Sequence, residues 1–148
     1  MTDDGESTSG EDANADAGAG SATIDHAGIV TENADALADL YVDLFGCERV
    51  HEESSDGMSF VFLDLGNGYI ELVEPQEEGR VARYLDEHGP DIHHLAVATD
   101  DIEAALDRAR ACGVDLVDEQ PRSGAWDHDI AFLHPGSTGG ILLEFVEH

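Results

Sequence analysis

The chain has 148 residues, which at about 100 to 200 residues per domain leaves room for one compact domain and a tail and excludes a multidomain assembly. Hydrophobic residues make up 41% and charged residues 27%, ordinary globular usage that can bury a core. The 34 acids face 6 cations, all of them Arg, for a formal net charge of -28, so a general basic surface for nucleic acid is excluded.

Self-repulsion of this size opposes a compact fold at low ionic strength, whereas at about 1 M salt the Debye length is near 3 Å and screens it. The composition therefore predicts a halophilic protein in a salt-rich cytoplasm. Cys47 and Cys112 are too few for a disulfide framework. The first residues lack the basic stretch and apolar run of a secretory signal, and no apolar stretch approaches the roughly 20 residues that span a bilayer. No membrane partner is expected.

In chain order, residues 1–22 consist of small polar residues, Ala, Gly and six of the acids, with Met1 the one larger apolar side chain, and are expected to form a disordered acidic tail. Patterning begins at Thr23 and comes in two copies. Ile24 to Val30 reads as a strand. A helix follows from about Asn33 to Phe45, with Leu37, Leu40, Tyr41 and Leu44 inward and Gly46 as its stop. Strands are expected at about Arg49 to Glu53, Met58 to Leu65 and Tyr69 to Glu74, with a Gly-Asn-Gly turn at 66 to 68. A linking helix covers about Glu77 to Glu87, with Val81, Tyr84 and Leu85 inward, before the Gly89-Pro90 break. The second copy runs through a strand at Ile92 to Ala98 and a helix at Asp100 to Cys112, capped by Asp100 with Glu103. Its last strands are Val114 to Asp118, Asp129 to His134 and Gly140 to Glu147.

Two tandem βαβββ modules result, module one at about 23–75 and module two at about 91–148, joined by the linking helix at about 77–88. The predicted fold class is α+β, a curved, incompletely closed eight-stranded sheet around a cleft.

Glu71, inside Tyr69-Ile70-Glu71-Leu72-Val73, and Glu144, inside Leu142-Leu143-Glu144-Phe145-Val146, put carboxylates in apolar strands. Burying such a charge uncompensated costs several kcal/mol, and a chain without Lys has few side chains to offset it. A metal ion can. His26 and His94 occupy matching places in the first strand of each copy, and strand alternation puts them beside Gly28, Ala96 and Ala98, away from the large apolar face. The same parity selects His94 over His93. Two imidazoles and two carboxylates suit a borderline divalent ion such as Zn²⁺, Co²⁺, Ni²⁺, Mn²⁺ or Fe²⁺. His93, His128 and His134 are expected to be supporting or loop residues, and His51, His88 and His148 exposed surface. Arg122 and Trp126 fall in a loop at the cleft mouth that could cover a substrate, and Arg80 and Arg83 lie on the linking helix.

The motifs Ile24-Asp25-His26, Ile70 to Pro75, Ile92 to Ala96, Asp100 to Ala105, Asp118 to Arg122 and Phe132 to Glu144 resemble the vicinal oxygen chelate superfamily, and the last of them resembles its acyl-CoA epimerase branch. The resemblance covers about Ile24 to Glu147. It implies a divalent metal on His26, Glu71, His94 and Glu144, with Co²⁺ favoured over Zn²⁺, Ni²⁺, Mn²⁺ or Mg²⁺, and a homodimer. It implies an isomerase that interconverts (R)- and (S)-methylmalonyl-CoA through proton removal and return at C2, with Glu144 as general base and Glu71 opposite. The partner is then an acyl-CoA thioester. Two departures stand: no acid occupies Met58 to Phe62, where some members carry one, and the loop at Trp126-Asp127-His128 lacks the family's frequent Lys. A glyoxalase I type lyase acting on a thiol hemithioacetal and a non-catalytic ligand-binding module of the same fold remain the alternatives.

Overall fold

A computed structural model describes residues 22–148; apart from Ala22, the tail expected at 1–22 lies outside the described residues. Strand β1 (Thr23–Val30) leads into helix α1 (Ala34–Phe45), then β2 (Glu48–Ser55), β3 (Met58–Asp64) and β4 (Tyr69–Pro75). Helix α2 (Arg80–His88) links to β5 (Asp91–Ala98), α3 (Ile102–Ala111), the two-residue β6 (Arg122–Ser123), β7 (Asp129–Phe132) and β8 (Leu143–Glu147). The eight strands make one mixed sheet in the order β2-β3-β4-β1-β5-β8-β7-β6. The two halves meet at the antiparallel β1–β5 pair, and the sheet curls around a cleft.

The duplication extends to the caps. The α1 amide of Ala34 donates to Glu74 Oε1 and the α3 amide of Ile102 donates to Glu147 Oε1, each at 2.8 Å. Each module's last strand thus neutralises the positive end of its own helix. Asn33 Oδ1 caps α1 by accepting from Ala36, and Gly46 closes it in the left-handed region at φ 70, a conformation open to glycine without a Cβ clash.

Alternation divides each central strand between two environments. Ile70 and Leu72 of β4 join Ala34 and Ala38 of α1 in one apolar cluster, while Leu143 and Phe145 of β8 join Ile102, Leu106 and Ala109 of α3 in its counterpart. The opposite side of the same strands presents Glu71 and Val73, or Glu144 and Val146, to the concave side. Full burial of Leu72 and Leu106 stabilises by roughly 1.5–3 kcal/mol for each side chain.

Four expectations are corrected. Leu40 and Leu44 of α1 are exposed; the inward face is Ala34, Leu37, Ala38, Tyr41 and Val42, because small Ala residues let the helix sit close to the sheet. Helix α2 starts three residues late, at Arg80, after an extended Gly79. The cap of α3 is Asp101, whose side chain accepts from Ala104, one residue past Asp100. Val114 to Asp118 forms no strand beyond one bridge, Leu116 to Leu133. There the Asp118 carboxylate takes the Phe132 amide at 2.8 Å, which a ladder would have used, and the outer strand of module two is Arg122–Ser123 instead.

Candidate metal centre

Four adjacent strands, β4, β1, β5 and β8, carry Glu71, His26, His94 and Glu144, all buried to 6% exposure or less. In register, Gly28 of β1 lies between Glu71 and His94, and Ala96 lies between His26 and Glu144. These small partners are a packing requirement: a Cβ on Gly28 would come within 2.1 Å of the His94 ring. The structure brings all four predicted residues together. His26 Nε2 is 3.2 Å from His94 Nε2, 3.4 Å from Glu71 Oε1 and 3.2 Å from Glu144 Oε1. His94 Nε2 is 3.2 Å from Glu71 Oε1 and 3.5 Å from Glu144 Oε1.

Hydrogen bonding between neutral rings and the two carboxylates does not by itself account for this geometry. The Nδ1 side of His26 meets Asp25 Oδ2 at 2.7 Å, which in the neutral ring places the proton on Nδ1 and leaves the Nε2 lone pair facing two carboxylate oxygens and the His94 ring. Glu144 Oε1 is buried without a hydrogen-bond partner, despite its short separation from His26. A positive charge at the centre stabilises four such groups. Burial alone would lower the His26 pKa, but Asp25, Glu144 and Glu71 outweigh it and raise it to about 11. Burial would raise Glu71, but His26 and His94 hold it down at about 2. A proton on His26 supplies that charge in part. His26, Glu71 and His94 each offer a ligand atom close enough to share one divalent ion, and Glu144 Oε1 lies within 3.5 Å of both imidazole nitrogens, a donor set of two nitrogens and two oxygens that suits such an ion.

Glu71, His94 and Glu144 also line a cavity of about 470 Å³, walled by Phe60, Val73, Val81, Ile130, Phe132 and Leu142, the size and apolar character of a small-molecule site. Arg80 and Arg122 stand on its rim, as does the loop at Gly124 and Ala125. Among the described residues Arg80 has no carboxylate partner, whereas Arg122 pairs with Asp118 at 3.0 Å.

Alternation missed Asp25. It is buried beside His26 because the β1–β5 pairing shifts register between Ile24 and His26, a bulge that turns consecutive side chains the same way. Asp25 also binds His148 Nε2 at 2.5 Å. His148 is exposed, as expected, yet its ring also touches the surroundings of the site through Asp25. His51, expected at the exposed surface, is instead half-buried, bonded to Glu53 at 2.8 Å and stacked on Trp126. No local pattern marks either one; both are placed by contacts more than 70 residues away. His93 stays outside the cluster, with Nδ1 3.0 Å from His94 Nδ1, His134 accepts from the Gly136 amide, His128 stacks on Trp126 and His148, and His88 is exposed. An Asp25→Asn chain is expected to bind Zn²⁺ at least about tenfold more weakly in a chelator competition, since the carboxylate that orients the ring is gone.

The sequence pattern of the glyoxalase/bleomycin resistance protein/dioxygenase superfamily matches residues 25–132, and the chain belongs to that superfamily. It is 33% identical over 128 residues to the mitochondrial methylmalonyl-CoA epimerase of Dictyostelium discoideum, covering 84% of this chain and 77% of that one. It is 32% identical over 129 residues to the ethylmalonyl-CoA/methylmalonyl-CoA epimerase of Cereibacter sphaeroides, covering 84% and 96%. The solved structure of a Streptomyces coelicolor methylmalonyl-CoA epimerase variant with 2-nitronate-propionyl-CoA superposes with a TM-score of 0.79 at 34% identity, covering 84% and 93%. Within the superfamily the chain belongs with the methylmalonyl-CoA epimerases. Among the described residues no helix is long and apolar enough to cross a membrane.

Proposed function

We propose that this epimerase interconverts (R)- and (S)-methylmalonyl-CoA, using a divalent ion held by His26, Glu71, His94 and Glu144. The observation that carries the reading is the convergence of these four buried groups at one wall of a cavity lined largely by apolar side chains. Relatives named for the same reaction, and a structural neighbour holding an acyl-CoA analogue, support the substrate class. Co²⁺ is our choice of ion, ahead of Zn²⁺, Ni²⁺, Mn²⁺ and Mg²⁺, and the excess of acids supports a salt-rich cytoplasm as its setting.

When bound, the ion supplies Lewis-acid stabilisation for the charge that develops as C2 loses its proton. Glu144 takes that proton. Its Oε1 is buried at the cluster, 3.2 Å from His26 Nε2. Glu71 approaches from the other module and serves the opposite face; burial would raise its pKa, but His26 and His94 hold it at about 2, which makes it a weaker base than a free carboxylate. The apolar walls hold the methyl-bearing acyl group and exclude water. Arg80 and Arg122 at the rim meet the phosphates of the CoA portion, the task of guanidinium groups on so acidic a chain.

The test is purified chain in molar salt with Co²⁺ and deuterated water. Deuterium is expected at C2 of methylmalonyl-CoA, with both isomers formed. No exchange, together with turnover of methylglyoxal plus a thiol, would transfer the site to the lyase reaction.

A further inference from the structure

Residues 124–128 connect β6 to β7 of module two, yet the Trp126 at their centre contacts module one. Strands β2 and β6 are the two free ends of the sheet, with six strands between them and no shared ladder. Between them, the Trp126 amide donates to Glu53 Oε1 of β2 at 2.8 Å. Glu53 also accepts from His51 at 2.8 Å and from Ser55 at 2.7 Å. The Trp126 ring stacks on His51 with centroids 4.7 Å apart and planes 5° apart, and packs on Phe62 at 5.0 Å and Tyr69 at 5.5 Å.

This docking holds an unfavourable backbone. Trp126 and Asp127 are consecutive non-glycine residues at φ 62 and φ 60, a conformation that persists only where the surroundings over-determine it. Gly124 lets the segment pass close over Ile130, whose side chain a Cβ there would meet at 2.6 Å. From Trp126 two chains of contact lead to His26. Phe62 meets the His26 ring edge-on at 5.9 Å. His128, stacked on Trp126, packs on His148 at 3.9 Å, and His148 holds Asp25, which holds His26 Nδ1.

We infer that residues 124–128 form a clasp closing the free ends of the sheet over one another, and that Trp126 is a positioning residue for His26, holding its ring aimed into the four-residue cluster. The inference rests on reading His26 as a metal ligand and adds a residue from outside the cavity and the cluster.

The test compares Zn²⁺ affinity, by competition with a chromophoric chelator and without any activity assay, in the full chain and two variants. Trp126→Gly accepts the left-handed backbone but removes the ring; with folding verified by circular dichroism, it should bind Zn²⁺ about tenfold more weakly, at the low end of losses seen when the support of a ligand is removed. Trp126→Phe keeps an aromatic against His51 and Phe62 and should restore most of that loss. A folded Trp126→Gly chain as tight as the parent overturns the inference, as does a Trp126→Phe chain no tighter than Trp126→Gly. Should Trp126→Gly not fold, Glu53→Gln decides. The single Trp of the chain should then become more open to acrylamide quenching, with Zn²⁺ affinity falling in parallel; an opened Trp126 at unchanged affinity is the contrary result. A parent chain that binds no Zn²⁺ refutes the ligand reading itself and this inference with it, an outcome distinct from parent binding that the variants leave unchanged.

Discussion

Glu144→Gln is expected to lower C2 exchange of methylmalonyl-CoA by about 10²–10⁴-fold, the span of a lost general base, while leaving Co²⁺ bound within about tenfold of the parent. The amide retains an oxygen where Oε1 sits, 3.2 Å from His26 Nε2 and 3.5 Å from His94 Nε2, so it can still serve as a neutral donor to an ion. It cannot accept a proton. Packing is preserved because the two side chains are isosteric and Oε1 makes no hydrogen bond that the change would break. The two readouts therefore separate: exchange collapses and metal content does not. A Gln chain that exchanges at the parent rate removes Glu144 from its role, and one that loses both metal and fold shows that its charge is structural.

The site was largely legible in the sequence because duplication made weak signals agree. A single strand His or Glu carries little information, but His26 with His94 and Glu71 with Glu144 recur at matching places, and strand parity put them on the face of Gly28 and Ala96. The register pairs of those two small residues are the ones that bring the four together. What parity could not reach was Asp25, whose orientation depends on a bulge in pairing with a strand about 70 residues later. Trp126 and His51 were hidden for the same reason: their contact joins the two ends of the sheet, and nothing in either local sequence specifies it. In the fold, the strands of module one were visible as alternating or apolar runs, whereas Val114 to Asp118 misled because Val114 and Leu116 pack in the α3 cluster while the Asp118 side chain replaces the ladder. Leu40 and Leu44 misled because Ala34 and Ala38, small enough to permit close approach, hold the buried stripe.

The second large effect is in pH. With no ion bound, His26 is protonated throughout the neutral range, its pKa raised to about 11 chiefly by Asp25, Glu144 and Glu71 against the opposing pull of burial. An ion must displace that proton, so metal binding at pH 7 should release about one proton and the apparent affinity should rise about tenfold per pH unit, roughly a hundredfold from pH 6 to 8. Calorimetry in buffers of different ionisation enthalpy counts the proton directly; an affinity flat over this range refutes the arrangement. The same shifts fix the sign for metal-free stability. His26 is raised on folding, so its contribution is complete below its ordinary 6.5 and fades as pH climbs through 11. Glu71 is lowered, so its contribution is complete above its ordinary 4.5 and is lost as pH falls toward 2. The metal-free chain should therefore draw full support from both groups between about pH 4.5 and 6.5 and lose it in opposite directions outside that window.

The central claim is that two imidazoles and two carboxylates hold one ion on which deprotonation at C2 depends. It is tested most directly by stripping the chain with a chelator and titrating Co²⁺ back while following deuterium incorporation at C2. Exchange absent from the stripped chain and restored in proportion to bound metal, reaching its ceiling at one ion per chain, is the expected result. Full exchange in the stripped chain, or restoration that requires no bound ion, would contradict it.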